Sequence, residues 1–316
     1  MNRKYLLIIY SLFLTSIFSC GELSSKKTSY INKVTVDSLS AVTDKLISTK
    51  SKKPFTIRNS EINSLRSSVN DKEYNIYVKL PRSYKESSGK FPILVLTDAG
   101  YAFPLVSSIY KRLSWTNKIE EFIIVGISYA EGEHFGISRT RDYTPTYSPN
   151  EPNGYSKEAR MVSGQADKFI DFINENLFRF LQENYRIDMN KKVFAGHSLG
   201  GLLANYMVVS KPETFDYYLS GSPSLWYHNK SIFDLEKLYS KKHKDLNTNL
   251  FMCIGADEEE QSKYAMVSDM FELHNNLLSR NYKNLKLKSI SIPNENHETV
   301  YPSFITKGIL WALKKE

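Results

Sequence analysis

Apolar side chains follow two alternating rhythms from about residue 54 to the C-terminus. In "EYNIYVKLP" (73 to 81) they fall at every second position, the pattern of a strand with one buried face. "FPILVLTDAG" (91 to 100) and "FIIVGISY" (122 to 129) are continuous apolar runs ended by turn residues, and "KKVFAGHS" (191 to 198), "FDYYLSGSP" (215 to 223), "NLFMCIGAD" (249 to 257) and "LKLKSISIP" (285 to 293) read as further strands. Runs that are apolar on both faces suit interior parallel strands with helices on either side. Helix-length amphipathic segments lie between them, clearest in residues 165 to 185, where Phe169, Phe172, Ile173, Leu177, Phe180 and Leu181 recur at helical spacing. The alternation predicts an α/β fold with a mostly parallel central sheet and helices on both faces. No internal repeat is present, and residues 130 to 155 read as the one long irregular stretch.

One strand-to-helix seam carries candidate chemistry. "AGHSLGG" (195 to 201) places Gly196, Ser198 and Gly200 at alternate positions, the spacing of a nucleophile elbow. The sharp turn lifts a serine hydroxyl out of the sheet, and its neighbours two positions away must lack side chains that would collide. Helix N–H groups just beyond it point toward any negative charge that forms there.

A serine hydroxyl needs a base. Of six histidines, His197 lies inside the elbow, His243 and His274 fall on surface helices, and His134 and His228 are loop alternatives. His297 follows the last strand, the place expected when the order is serine, acid, histidine. The acid should follow "NLFMCIG", where Asp257, Glu258, Glu259 and Glu260 are candidates, and a G-x-x-acid loop from Gly255 selects Glu258. The oxyanion hole is expected from the N–H groups of Leu199 and Gly100, with Tyr101 close behind Gly100 and Asp98 bracing that turn. For substrate contacts, Tyr143, Trp226 and Tyr227 offer flat faces, and Arg141 or Arg139 a planar fork for oxygen anions. Scattered histidines give no metal-ligand spacing, so neither metal nor other cofactor is expected.

The segments "LPRSY", "PILVLTDAGYAF", "IIVGISY", "RTRDYTPT", "GHSLGG", "SGSPSLWYHN", "IGADEEE" and "NENH" together resemble the Putative esterase family of α/β-hydrolases, in the branch that contains periplasmic siderophore esterases. The resemblance spans roughly residues 72 to 315. It implies an α/β-hydrolase fold and ester chemistry, with a small-molecule or glycan ester as partner. It leaves open the substrate, since the wider family includes formylglutathione hydrolases, feruloyl and acetylxylan esterases and mycolyl transferases. Members mostly carry Asp-Gly where this chain has Asp98-Ala99, and some siderophore esterases manage with serine and histidine alone. The contrasting reading is a non-enzymatic binding lipoprotein that kept the fold.

Composition adds a second layer. The chain has 316 residues and a formal charge of +8. Arg3 and Lys4 precede an apolar stretch ending at Ser19 and Cys20, the form of a bacterial lipoprotein signal, with an ordinary secretory signal or a membrane anchor as alternatives. Residues 1 to 19 read as that signal, Cys20 as the lipidated residue, 20 to 53 as a basic tether and 54 to 316 as the catalytic domain, giving a lipid-anchored protein of the cell envelope. Residues 24 to 58 hold eight basic and two acidic side chains, whereas from 59 onward 32 basic face 31 acidic. A nearly neutral folded part argues against nucleic-acid binding, and no protein partner is implied. Cys253, in an apolar run, reads as a small buried hydrophobe.

Overall fold

The computed structural model describes residues 53–152 and 155–315; the expected signal, Cys20 and nearly all of the expected tether lie outside them. Eight strands form one sheet: β1 (Ser60–Arg66), β2 (Glu73–Lys79), β3 (Phe91–Leu96), β4 (Ile123–Ala130), β5 (Ile187–His197), β6 (Tyr217–Gly221), β7 (Thr248–Gly255) and β8 (Leu285–Ile292). Their spatial order is β1-β2-β4-β3-β5-β6-β7-β8, with β1 and β2 antiparallel to their neighbours and β3 through β8 parallel. This is the expected α/β-hydrolase architecture.

Interior strands feed both faces. All six residues of β3 are buried. Ile93 and Val95 enter one apolar core, while Leu94 and Leu96 enter the other. Helices α1 (Ala99–Trp115), α2 (Phe135–Tyr143), α3 (Lys157–Met161), α4 (Ala166–Phe172), α5 (Phe178–Asn184), α6 (Leu199–Ser210), α7 (Tyr227–Lys242), α8 (Glu258–Gln261), α9 (Met266–Ser279) and α10 (Val300–Ala312) complete the fold. Helices α4, α6 and α9 cover the first core; α1 and α10 cover the second. Cys253 belongs to the second core, and burial pushes its thiol up to about 12.

Two elements depart from the sequence reading. Strand β1 lies at the sheet edge and is largely exposed, so "SEINSLR" shows no alternation of apolar positions. The stretch read as irregular contains α2, "FGISRTRDY", whose buried residues are mainly polar or charged. Neither case produces the hydrophobic period on which such a reading depends.

The chain order of the strands reverses direction across the sheet at β3: β4 lies on one side of it and β5 on the other. Ligand crevices of open α/β sheets form at such points, outside the carboxyl ends of the strands. The turns after β3 and β5 are therefore neighbours, with Leu96 paired to Ala195.

Candidate active site

Ser198 occupies the turn between β5 and α6 with φ 61° and ψ −117°, a conformation that L-residues rarely adopt. Main-chain bonds hold it there: Ser198 N–H donates to Gly221 O at 2.9 Å, and Ser198 O accepts from Leu202 N at 2.9 Å and Ser224 N at 3.1 Å. A Cβ at Gly196 would lie 2.2 Å from Gly200 O, so glycine at that position is a condition of the turn. The Ser198 hydroxyl has the Ser224 hydroxyl as its partner, Oγ to Oγ 3.3 Å.

His297 and Glu258 come together from the loops after β8 and β7. Glu258 Oε2 is 2.7 Å from His297 Nδ1, and Glu258 Oε1 accepts from Ser222 Oγ at 2.6 Å and Gly255 N–H at 2.9 Å. The carboxylate is thus buried and engaged at both oxygens. Ser222 and Ser224 were missed in the sequence reading because nothing in "SGSPS" separates them from turn residues. Glu259 is turned away, accepting from the N–H groups of Val267 and Ser268.

His197 packs behind His297. Its ring lies 4.6 Å from that of His297 and 5.5 Å from that of Tyr301, centroid to centroid. Burial, with a lesser push from the adjacent His297 ring and Arg139, holds its imidazole well below the usual histidine range, and its Nε2 has no partner among the described residues.

Leu199 and Gly100 both lie in first helical turns, where N–H groups have no intrahelical acceptor. Their turns meet closely: a Cβ at Gly200 would lie 2.6 Å from Thr97 Oγ1. Asp98, which precedes α1 in a left-handed conformation (φ 57°), makes no cap with its side chain. Its carboxylate instead meets Arg139.

The expected substrate contacts separate into two groups. Trp226 is half-buried beside a recess of about 330 Å³ shared with Tyr264, Lys230 and Lys263, and it stacks on Tyr264 at 4.5 Å and 9°. Arg141, Tyr143 and Tyr227 are placed inside the protein, contrary to expectation. Arg141 is 4% exposed, with its guanidinium taken up by Asp142 and Glu133. Tyr143 packs on Phe169 in the core, and Tyr227 donates its hydroxyl to Thr146 O at 3.0 Å. With Asp142 and Glu133 occupying its donors, Arg141 offers no fork to solvent. Aromatic faces do reach the surface near the site, at Tyr101, Phe135 and Tyr155, and Phe135 meets Tyr155 edge-on at 5.8 Å.

With fold and geometry in place, the class is clear: residues 67–289 match the Putative esterase family, and the chain belongs to it. It is an esterase with an α/β architecture. Among its relatives, the ferri-bacillibactin esterase BesA of Bacillus subtilis (strain 168) is 27% identical over 264 residues, covering 82% of this chain and 91% of the relative. The siderophore enterobactin esterase of Emericella nidulans is 28% identical over 263 residues, covering 77% and 82%. The crystal structure of the BES protein from Bacillus cereus superposes with a TM-score of 0.72 at 28% identity, covering 85% of this chain and 100% of that one.

Proposed function

We propose that this chain hydrolyses a siderophore-type carboxylic ester through an acyl-enzyme on Ser198. The observation that carries the reading is the 2.7 Å contact between His297 Nδ1 and buried Glu258, which fixes the ring and leaves Nε2 as the atom that can serve the serine. Ser198 Oγ attacks the ester carbonyl while His297 Nε2 takes its proton. Leu199 and Gly100 N–H groups hold the oxyanion, and Glu258 stabilises the imidazolium. Collapse breaks the ester C–O bond, and the departing alcohol takes the proton from His297. Water then attacks the acyl-serine, with His297 again as base, releasing the acid and restoring Ser198.

The siderophore assignment is supported by the names of the relatives, ferri-bacillibactin esterase and siderophore enterobactin esterase. The exposed rings of Tyr101, Phe135 and Tyr155 suit a bulky acyl part with an aromatic ring. The test is a hydrolysis panel with catecholate trilactone, feruloyl ester, acetylated xylan and aliphatic esters of rising chain length. The trilactone should lead in kcat/KM; a lead by the feruloyl ester, acetylated xylan or long-chain esters overturns the siderophore assignment. Cys20 is proposed as the lipidated anchor, so Cys20→Ser should move the protein from the membrane to the soluble fraction.

A further inference from the structure

Arg139 contacts both turns that flank the candidate oxyanion hole. It projects from α2 and is 7% exposed. Its Nε and Nη2 donate to Asp98 Oδ1 at 2.8 Å and Oδ2 at 3.2 Å, and Nη2 also reaches His197 O at 3.4 Å. Nη1 donates to the Tyr155 hydroxyl, and the guanidinium carbon stands 5.7 Å from the centre of the Tyr143 ring. Burial works against the charge, and Asp98 with the neighbouring tyrosines more than offsets it, so the guanidinium stays charged.

The sequence positions of these acceptors matter. Asp98 lies two residues before Gly100, and His197 lies two residues before Leu199. A single planar cation therefore grips the chain just ahead of each N–H donor. From this we infer that Arg139 is a positioning residue: it sets the spacing of the Gly100 and Leu199 N–H groups, and thereby the stabilisation of the tetrahedral intermediate.

Stability alone is a poor reason for the arrangement. A buried ion pair seldom outperforms well-packed apolar side chains of similar volume, because desolvation consumes most of the Coulomb gain. An apolar pair, however, could not reach the carboxylate of one turn and the main-chain carbonyl of the other. Lysine could not do so either, since its donors radiate from one point and do not form a fork. Asp98 explains the other half. Left-handed and uncapped, it is held by its carboxylate on Arg139.

The inference rests on Ser198 being the nucleophile, which Ser198→Ala tests separately: retained turnover in that variant removes the serine mechanism whatever Arg139 does. Arg139→Lys keeps a cation beside Asp98 and loses the fork. Asp98→Asn keeps the shape and weakens the grip, and it serves should the lysine variant not fold. Each is compared with the wild-type full chain by melting temperature, by kcat and KM on a small aliphatic ester, and by Ki for a trifluoromethyl ketone. Ser198 adds to that ketone to give a tetrahedral oxyanion.

In a folded variant, kcat should fall on the order of 10²-fold with KM little changed, as for displaced oxyanion donors. The ketone Ki should rise in step with the loss of kcat/KM. If kcat and Ki stay within about threefold of wild type, or if KM alone rises, Arg139 is respectively structural or a substrate contact, and the inference is overturned.

Discussion

Glu258 Oε2 lies 2.7 Å from His297 Nδ1, and the two residues are brought together from loops that follow neighbouring parallel strands. The carboxylate is 2% exposed and also accepts from Ser222 and Gly255, so it is aimed and shielded at once. In Glu258→Gln the amide can present its NH₂ to Nδ1 and favour the wrong tautomer. Turnover should fall by roughly 10²- to 10⁴-fold with the fold retained. Asp257→Ala, Glu259→Ala and Glu260→Ala should change kcat little; a larger loss in any of them than in Glu258→Gln assigns the acid elsewhere.

Ser198→Ala should lower kcat by about 10⁴-fold or more and abolish the mass increase produced by a fluorophosphonate probe. His297→Ala should approach the same loss. Substantial turnover in either variant removes the serine mechanism.

The elbow separates two glycines by what surrounds them. A Cβ on Gly196 meets a main-chain carbonyl at 2.2 Å, whereas one on Gly200 meets the Thr97 hydroxyl, a side chain able to rotate. Gly196→Ala should therefore cost on the order of 3 kcal/mol in urea unfolding and most of the activity. Gly200→Ala should cost clearly less, and Thr97→Ala should partly rescue it. Equal costs would show that the clash at Gly196 relaxes.

Much of this was legible in the chain because periodicity and motif spacing report on burial and turns. Interior strands such as "FPILVL" are apolar on both faces, and the G-x-S-x-G spacing marks a turn whose main-chain crowding at Gly196 only glycine meets. Edge strand β1 left no trace, since Ile62 is 59% exposed in a polar run. The substrate contacts were harder for a related reason. Arg139 and Arg141 are identical as residue types two positions apart, yet the first grips Asp98, 41 residues away, and the second grips its own neighbour Asp142. Spacing along the chain holds no information about such long-range partners.

His197 gives a pH signature in stability. Burial holds its folded imidazole well below the usual value, so the unfolded chain binds a proton that the folded chain refuses. Stability is therefore undiminished above the ordinary histidine value near 6.5 and is lost as pH falls below it, by up to about 1.4 kcal/mol per pH unit. His197→Phe keeps a ring against His297 and Tyr301 and removes the titration. Unfolding free energies of the two proteins should run parallel above pH 7 and diverge in favour of the variant between roughly pH 6 and 5. Parallel curves throughout would mean that His197 is protonated as readily folded as unfolded.

Phe135 and Trp226 test where a bulky acyl group rests. Phe135 is 44% exposed and meets Tyr155, whose hydroxyl is held by Arg139. Trp226 lies two residues beyond Ser224, whose hydroxyl is 3.3 Å from that of Ser198. Phe135 has a face open to solvent and Trp226 borders a recess, and an aromatic contact contributes about 0.5–1.5 kcal/mol beyond area burial. Phe135→Ala and Trp226→Ala should each raise KM for a feruloyl or catecholate ester by roughly 3- to 10-fold. Hydrolysis of methyl butyrate, followed by acid release, should be little affected. Tyr143→Phe is the contrasting variant, because Tyr143 is 1% exposed and packs on Phe169. It should leave KM for every ester near wild type and show any effect in melting temperature. If Tyr143→Phe raises KM for aryl esters while Phe135→Ala and Trp226→Ala do not, the acyl group enters through the interior of the α2 segment and the surface rings are bystanders.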